Sequence, residues 1–172
     1  MDQTEFSSHR VLLLGAKTHN ILILRSVLAM VGVGKVVQCE DRATAIRLLG
    51  MEHFNAVFCE LDAEAQLSFV RAARRQEGVL NPMIPIFLLH SQMRHRHLMK
   101  ARDSGATDLL TTPVSPRTVA GKLRAATKTP RPFIVGQEFF GPDRRARIRP
   151  GYIGPDRRKK SPKKTRVDFV HI

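Results

Sequence analysis

A five-residue string that occurs twice carries the side chains of this sequence best suited to binding chemistry. GPDRR occupies residues 141–145 and recurs thirteen residues later at 154–158, each copy preceded within two residues by an aromatic side chain. Arginine binds planar acceptor edges with two parallel hydrogen bonds and also stacks on ring faces. Gly-Pro-Asp is typical of a tight turn, which would project the arginines that follow from a defined backbone.

The side chains of this repeat match the chemistry of guanine. Guanine O6 and N7 form the base edge that best fits an arginine, an aspartate can accept from its N–H groups, and aromatic rings offer stacking surface. Because there are two copies, we expect a ligand with two equivalent halves, and a dimeric guanine nucleotide with phosphates between its bases meets these requirements. The predicted contact residues are Phe140, Asp143, Arg144, Arg145, Arg147, Arg149, Tyr152, Asp156, Arg157 and Arg158.

Much of the positive charge lies in the same part of the chain. Residues 129–172 hold twelve Lys and Arg against four Asp and Glu, so they carry +8 of the formal net charge of +14. This surplus favours an anionic partner. The alternative is a disordered, solvated basic tail that binds nucleic acid or another polyanion, although phosphate binding alone does not require a repeated Gly-Pro-Asp.

Composition excludes several other classes of protein. The apolar runs, among them those at residues 11–14 and 21–24, are far shorter than the roughly 20 residues of a membrane span. The acidic N-terminal residues are unlike a signal peptide, and Cys39 and Cys59 lie within apolar runs, as buried thiols of a reduced protein do. We therefore expect a cytoplasmic protein without membrane insertion. No nucleophile–base pair, phosphate loop or metal cluster stands out, so we expect no enzyme activity.

The segment from residue 10 to about residue 128 alternates between short apolar runs and helical periodicity. Five strands, each followed by a helix, are predicted at 10–14, 35–39, 55–59, 85–89 and 108–111. Continuously apolar strands are typical of a parallel sheet covered on both faces, which indicates an α/β fold. The commonest topology at this size is the flavodoxin-like order 2-1-3-4-5, with its chemistry at the carboxyl ends of the strands. The residues at those ends are Gly15, Ala16, Glu60, His90 and Thr112.

Four segments of this region resemble the receiver domain of two-component response regulators, the CheY-like fold. They are residues 13–34, 53–61, 85–91 and the string GATDLLTTP at 105–113. The resemblance implies a phosphorylation site with an acidic pair after the first strand, an Asp after the third, a Thr or Ser after the fourth and a Lys after the fifth. Mg²⁺ held by the carboxylates and the fixed Lys cation would neutralise charge on the phosphoryl group during transfer.

This sequence departs from that pattern at every one of these places. Gly15 and Ala16 replace the acidic pair, and Glu60 replaces the phosphoacceptor Asp. His90 replaces the hydroxyl residue, and Thr112 replaces the Lys. Without those ligands no Mg²⁺ is expected, and we predict a pseudo-receiver that is not phosphorylated in the usual way. Glu60 is either a permanent mimic of phospho-aspartate or a residual carboxylate hydrogen-bonded within its loop. A metal site made of Glu60 and His90 is a weaker third hypothesis, because two ligands are too few.

A CheY-like domain joined to a duplicated GPDRR tail resembles receiver-like proteins of Alphaproteobacteria, among them the Cle proteins. That resemblance implies cyclic di-GMP as the ligand, bound as two molecules or one per motif, and a tail that orders on binding. It also implies a protein partner such as the flagellar motor or the attachment machinery. By analogy with receivers, the partner would bind the face formed by the fourth helix through the fifth helix.

Three segments are therefore predicted: a receiver-like domain at 8–128, a Pro-containing linker at 129–138 and an Arg-rich tail at 139–172. The predicted function is non-catalytic signalling in which cyclic di-GMP on the tail controls a protein partner. The alternative is a pseudo-receiver adaptor whose tail binds nucleic acid or an acidic protein. Residues 133–135 and 167–170 are apolar enough to pack back on the body as an added strand pair.

Overall fold

The computed structural model describes residues 4–75, 78–91, 95–135, 139–143 and 165–167. Up to residue 128, strands alternate with helices as the sequence predicts. The strands are β1 (Arg10–Leu14), β2 (Lys35–Cys39), β3 (Ala56–Cys59), β4 (Ile86–His90) and β5 (Asp108–Thr111). The helices are α1 (His19–Met30), α2 (Arg42–Met51), α3 (Ala63–Arg75), α4 (His95–Ser104) and α5 (Pro116–Lys128). The strands form a parallel sheet in the order β2-β1-β3-β4-β5, which confirms the predicted flavodoxin-like topology.

The central strands β1, β3 and β4 are buried on both faces of the sheet, which explains why they are almost continuously apolar. Successive side chains of a strand point to opposite faces, so Val11 and Leu13 pack with α1 and α5 while Leu12 and Leu14 pack with α2 and α3. The α1–α5 side is filled by Ile21, Leu24, Phe58, Phe87 and Leu123. The α2–α3 side is filled by Leu49, Val57, Phe69, Val70 and Leu88.

Helix starts follow ordinary capping chemistry. Thr18, Asp41 and Ser115 accept hydrogen bonds from backbone N–H groups in the first turns of α1, α2 and α5. Pro116 occupies the first turn of α5, where its missing N–H costs nothing. None of the helices in the described part of the chain is long and apolar enough to cross a membrane.

A second sheet follows the five-stranded domain. Its strands are β6 (Phe133–Val135), β7 (Phe140–Pro142) and β8 (Thr165–Val167), antiparallel in the order β7-β6-β8. Residues 133–135 pair with Thr165–Val167, so only Val167 of the predicted partner segment 167–170 lies in the described strand, and residues 168–170 lie outside the described residues. The segment predicted as a linker thus contains a strand.

The prediction of a tight turn at Gly-Pro-Asp is wrong for the first copy of the repeat. Gly141 and Pro142 belong to β7, and the backbone N–H of Asp143 donates to the Pro132 carbonyl at 2.7 Å. Pairing with β6 satisfies these backbone groups, and Pro142 is tolerated because β7 is an edge strand. The second copy, at 154–158, lies outside the described residues.

The second sheet packs on the amino-terminal edge of the first. Phe133 is 3% exposed, and its ring centroid lies 5.2 Å from the Arg74 guanidinium carbon on α3. The loop between α4 and β5 touches β7 at Gly105, where an added Cβ would lie 2.5 Å from the Phe140 carbonyl oxygen. Gly105 also has φ of +98°, so two independent features require glycine there.

Candidate functional site

The residues predicted at the strand ends lie side by side along the carboxyl edge of the parallel sheet. The Gly15 N–H donates to the Cys39 carbonyl at 2.9 Å, and the Glu60 N–H donates to the Leu14 carbonyl at 2.8 Å. The Thr112 N–H donates to the carbonyl of His90 at 2.9 Å, which joins the ends of β4 and β5. The sheet therefore places Gly15, Glu60, His90 and Thr112 along one edge.

Both oxygens of the Glu60 carboxylate have hydrogen-bond donors. Thr18 Oγ1 donates to Glu60 Oε2 at 2.5 Å, and Asn20 Nδ2 donates to Glu60 Oε1 at 2.7 Å. Thr18 Oγ1 also accepts from the Ile21 N–H, so the same hydroxyl caps α1. The carboxylate lies at the positive N-terminal end of α1, which stabilises its charge. Glu60 thus ties the end of β3 to the start of α1, through two partners that sequence reasoning missed.

At Gly15 the chain packs too closely for any side chain. An ideal Cβ on Gly15 would lie 2.6 Å from the backbone oxygen of Glu60 and 3.3 Å from Cδ1 of Ile21. Real Cβ atoms do not approach a carbonyl oxygen that closely, so the position that the resemblance aligns with the first acidic residue has no space for a side chain. Ala16, at the second position, is exposed.

His90 and His97 stack at the end of β4. Their ring centroids are 6.1 Å apart with an interplanar angle of 24°. Burial, and secondarily the charge of His97, lower the pKa of His90, so its imidazole is neutral at pH 7. Thr112, which is 9% exposed, is also uncharged.

The described residues show no group of three or more His, Cys, Asp and Glu side chains arranged to hold a metal ion. The hypothesis of a metal held by Glu60 and His90 therefore has no third ligand within this part of the chain. Glu60 itself is engaged by the hydroxyl of Thr18 and the amide of Asn20.

Two buried polar side chains of α3 also escaped prediction. Gln66 Nε2 donates to the carbonyls of Cys59 and Leu89 at 3.0 and 2.9 Å and so bridges β3 and β4 below the strand ends. Arg74 is 3% exposed and donates to backbone carbonyls near β4 and β5. Both lie four residues from buried Val70, on the helix face that packs on the sheet. The sequence does hold a signal for both residues: each is a polar residue at a position where the helical periodicity of α3 predicts a buried apolar one.

The predicted ligand set of the tail is only partly described. Phe140 is half-buried in β7, with its ring centroid 5.4 Å from that of Phe133. Asp143 is also half-buried, directly after β7. The other predicted contact residues lie outside the described residues: Arg144, Arg145, Arg147, Arg149, Tyr152, Asp156, Arg157 and Arg158.

No protein-family model matches the sequence, and a search of curated proteins finds no match. Solved structures match at the level of the fold. The receiver domain of a sensor histidine kinase from Pseudomonas aeruginosa, solved with a magnesium ion in its active-site cleft, has a TM-score of 0.61 at 20% identity, covering 70% of this chain and 98% of that one. The chemotaxis protein CheY4 of Vibrio cholerae has a TM-score of 0.57 at 20% identity, covering 67% and 96%.

A CheY-like receiver domain protein from Methanospirillum hungatei is also similar, with a TM-score of 0.55 at 15% identity over 70% of this chain and 94% of that one. These likenesses establish that the chain contains the CheY-like receiver fold. They cover nearly all of each receiver, and about a third of this chain lies outside the matched part.

Proposed function

We propose that this chain is a non-catalytic, receiver-like signalling adaptor that works without phosphorylation and whose Arg-rich tail binds cyclic di-GMP to control a protein partner. The observation that carries the proposal is the duplicated GPDRR string joined to a CheY-like fold in which the carboxylate at the phosphoacceptor position, Glu60, is already held by two donors.

Independence from phosphorylation is supported by the geometry of the strand ends. A phosphoacceptor needs an accessible carboxylate oxygen, a Mg²⁺ held by further oxygen ligands and a cation facing the phosphoryl group. Here Thr18 and Asn20 occupy the oxygens of Glu60. The places of the acidic pair and the Lys are taken by Gly15, Ala16 and Thr112. Regulation therefore has to enter elsewhere, and the tail is the part of the chain with the chemistry for it.

The first copy of the repeat is connected to the five-stranded domain through the second sheet. Arg144 and Arg145 follow Asp143, which directly succeeds β7, and β7 pairs with β6. Phe133 of β6 packs on Arg74 of α3. A ligand held by the first copy of the repeat would therefore act on a strand attached to the domain. The partner would bind the face formed by α4 through α5, as the resemblance to receivers implies.

The proposal is tested by calorimetric titration of cyclic di-GMP into the full chain and into the double variant Asp143→Ala with Asp156→Ala. The full chain is used because removing everything after Lys128 would delete the buried Phe133. We expect micromolar or tighter binding that falls by about tenfold or more in the variant, since hydrogen bonds to charged groups are lost. Affinity for a polyanion such as heparin should change little. An absence of binding by the full chain, or an equal loss for both ligands, would contradict the proposal.

The alternative of nucleic-acid or acidic-protein binding is favoured by one observation, the net charge of +8 on residues 129–172. Such binding would weaken linearly in log affinity against log salt concentration. It would not depend on the two aspartates, because phosphate binding needs only Lys and Arg. The heparin arm of the titration therefore separates the two functions.

A further inference from the structure

A cavity of about 320 Å³ opens between the second half of α3, the end of α4 and the start of β7. Its lining includes Arg71, Arg74 and Arg75 from α3, Asp103 from α4, and Phe139 and Phe140 from the second sheet. The lining thus holds three arginines, one aspartate and two phenylalanines. The cavity therefore combines arginine donors with a ring surface, a combination that suits a flat ring with hydrogen-bond acceptors on its edge.

Arg74 is a buried residue of the cavity lining, and its hydrogen bonds to neutral acceptors do not neutralise its positive charge. Its Nε donates to the Gly105 carbonyl at 3.0 Å, and its Nη1 donates at 2.7 Å to each of the carbonyls of Pro82 and Ile84. All three acceptors are neutral oxygens. Burial lowers the pKa of Arg74 to about 9, so the side chain is still a cation at pH 7. The positive charge of Arg74 is not neutralised by a carboxylate in these bonds.

The first copy of the repeat begins at this cavity. Phe140 contributes to its wall, and Gly141, the first residue of GPDRR, lies against Gly105, where a Cβ on Gly141 would come within 2.7 Å of the Gly105 Cα. The contact gives Gly141 a role in close packing, separate from any turn. The arginines of the first copy thus follow a strand whose preceding residues already line the cavity.

We propose that this cavity is the part of the cyclic di-GMP site contributed by the body, and that it takes one guanine base of the ligand. The proposal rests on the function proposed above. Arg71 is exposed at the cavity and can donate to O6 and N7 of guanine. The volume is near the roughly 300 Å³ lower end of ligand pockets, which suits one base better than a whole dinucleotide.

This placement explains how a ligand bound to the tail would affect the domain. The base would contact α3 and the end of α4 on one side and the start of β7 on the other. Ligand binding would then hold α3, α4 and β7 in one arrangement. Of these elements, α4 also belongs to the face formed by α4 through α5, where the partner is proposed to bind.

The test is the affinity of the full chain for cyclic di-GMP after charge reversal at Arg71, with Arg25→Glu as the matched control. Both arginines are exposed and helical, and they lie on opposite sides of the sheet, so each substitution changes the net charge equally. We expect Arg71→Glu to weaken binding by about tenfold or more. Arg25→Glu should change it by no more than about twofold. Thermal melts of both variants establish that they are folded.

The possible results separate this inference from the proposed function. If the unsubstituted chain binds cyclic di-GMP and the two variants lose affinity equally, the cavity is not part of the site, although the proposed function stands. If the unsubstituted chain does not bind the ligand at all, both are overturned. A selective loss in Arg71→Glu supports both.

Discussion

Replacement of Phe133 by alanine is expected to lower the free energy of unfolding by about 3–5 kcal/mol, the usual cost of removing a buried aromatic side chain. Phe133 is 3% exposed and packs between the Arg74 guanidinium and the Phe140 ring. Its loss removes apolar burial and opens a path for water to a cation that is now shielded. In a chain of this size, the midpoint of thermal unfolding would fall by roughly 6–20 °C.

Val135→Ala is the matched control, because Val135 lies on the same strand but is 39% exposed. It should cost no more than about 1 kcal/mol, and Phe133→Leu should fall between the two. Urea unfolding followed by circular dichroism gives the three free energies. If Phe133→Ala proved as mild as Val135→Ala, the second sheet would not be packed on the domain.

Restoring an acidic residue at Gly15 is expected to destabilise the protein without creating a Mg²⁺ site. A Cβ at this position would lie 2.6 Å from the Glu60 carbonyl oxygen, so Gly15→Asp has to separate the ends of β1 and β3. Overpacking of this kind costs about 1–3 kcal/mol. The new carboxylate would also lack the further oxygen ligands that Mg²⁺ needs, because Thr18 and Asn20 hold Glu60.

The control for this variant is Ala16→Asp, at the neighbouring exposed position of the lost acidic pair. It introduces the same charge where a side chain fits, so it should change the unfolding free energy by about 0.5 kcal/mol or less. Thermal unfolding with and without 10 mM MgCl₂, roughly the excess needed to reveal weak binding by linkage, measures both effects. A stable Gly15→Asp protein whose melting temperature rises with Mg²⁺ would contradict this account of the strand ends.

The five-stranded fold could be predicted because its signals are local. The apolar runs of β1 and β2 coincide with the predicted ranges, and Asp41 and Ser115 cap α2 and α5, the helices at whose starts they were predicted. The parallel order follows from the alternation of strands and helices. For the same reason, the sequence was enough to locate Gly15, Glu60 and Thr112 at strand ends.

The contacts that determine what those positions do were not predictable, because they join residues far apart in sequence. Thr18 and Asn20 meet Glu60 across about 40 residues, and only the packed sheet brings them together. In the sequence, Arg74 is one charged residue among several on α3, and only the folded chain places Phe133 of β6 against its guanidinium group. At the first Gly-Pro-Asp, the strand pairing with β6 outweighed the local preference for a turn.

Amide spectra of the ¹⁵N-labelled full chain test the central claim most directly. Cyclic di-GMP is added to one sample, and Mg²⁺ with beryllofluoride, a phosphoryl analogue, is added to another. We predict that cyclic di-GMP shifts the amides of Arg71, Gly105 and Phe140, and that the phosphoryl analogue leaves Glu60 and Thr112 unmoved. Shifts at Glu60 and Thr112 with the analogue, and none at the α3 and β7 amides with cyclic di-GMP, would show a site that can accept a phosphoryl group and would contradict the account.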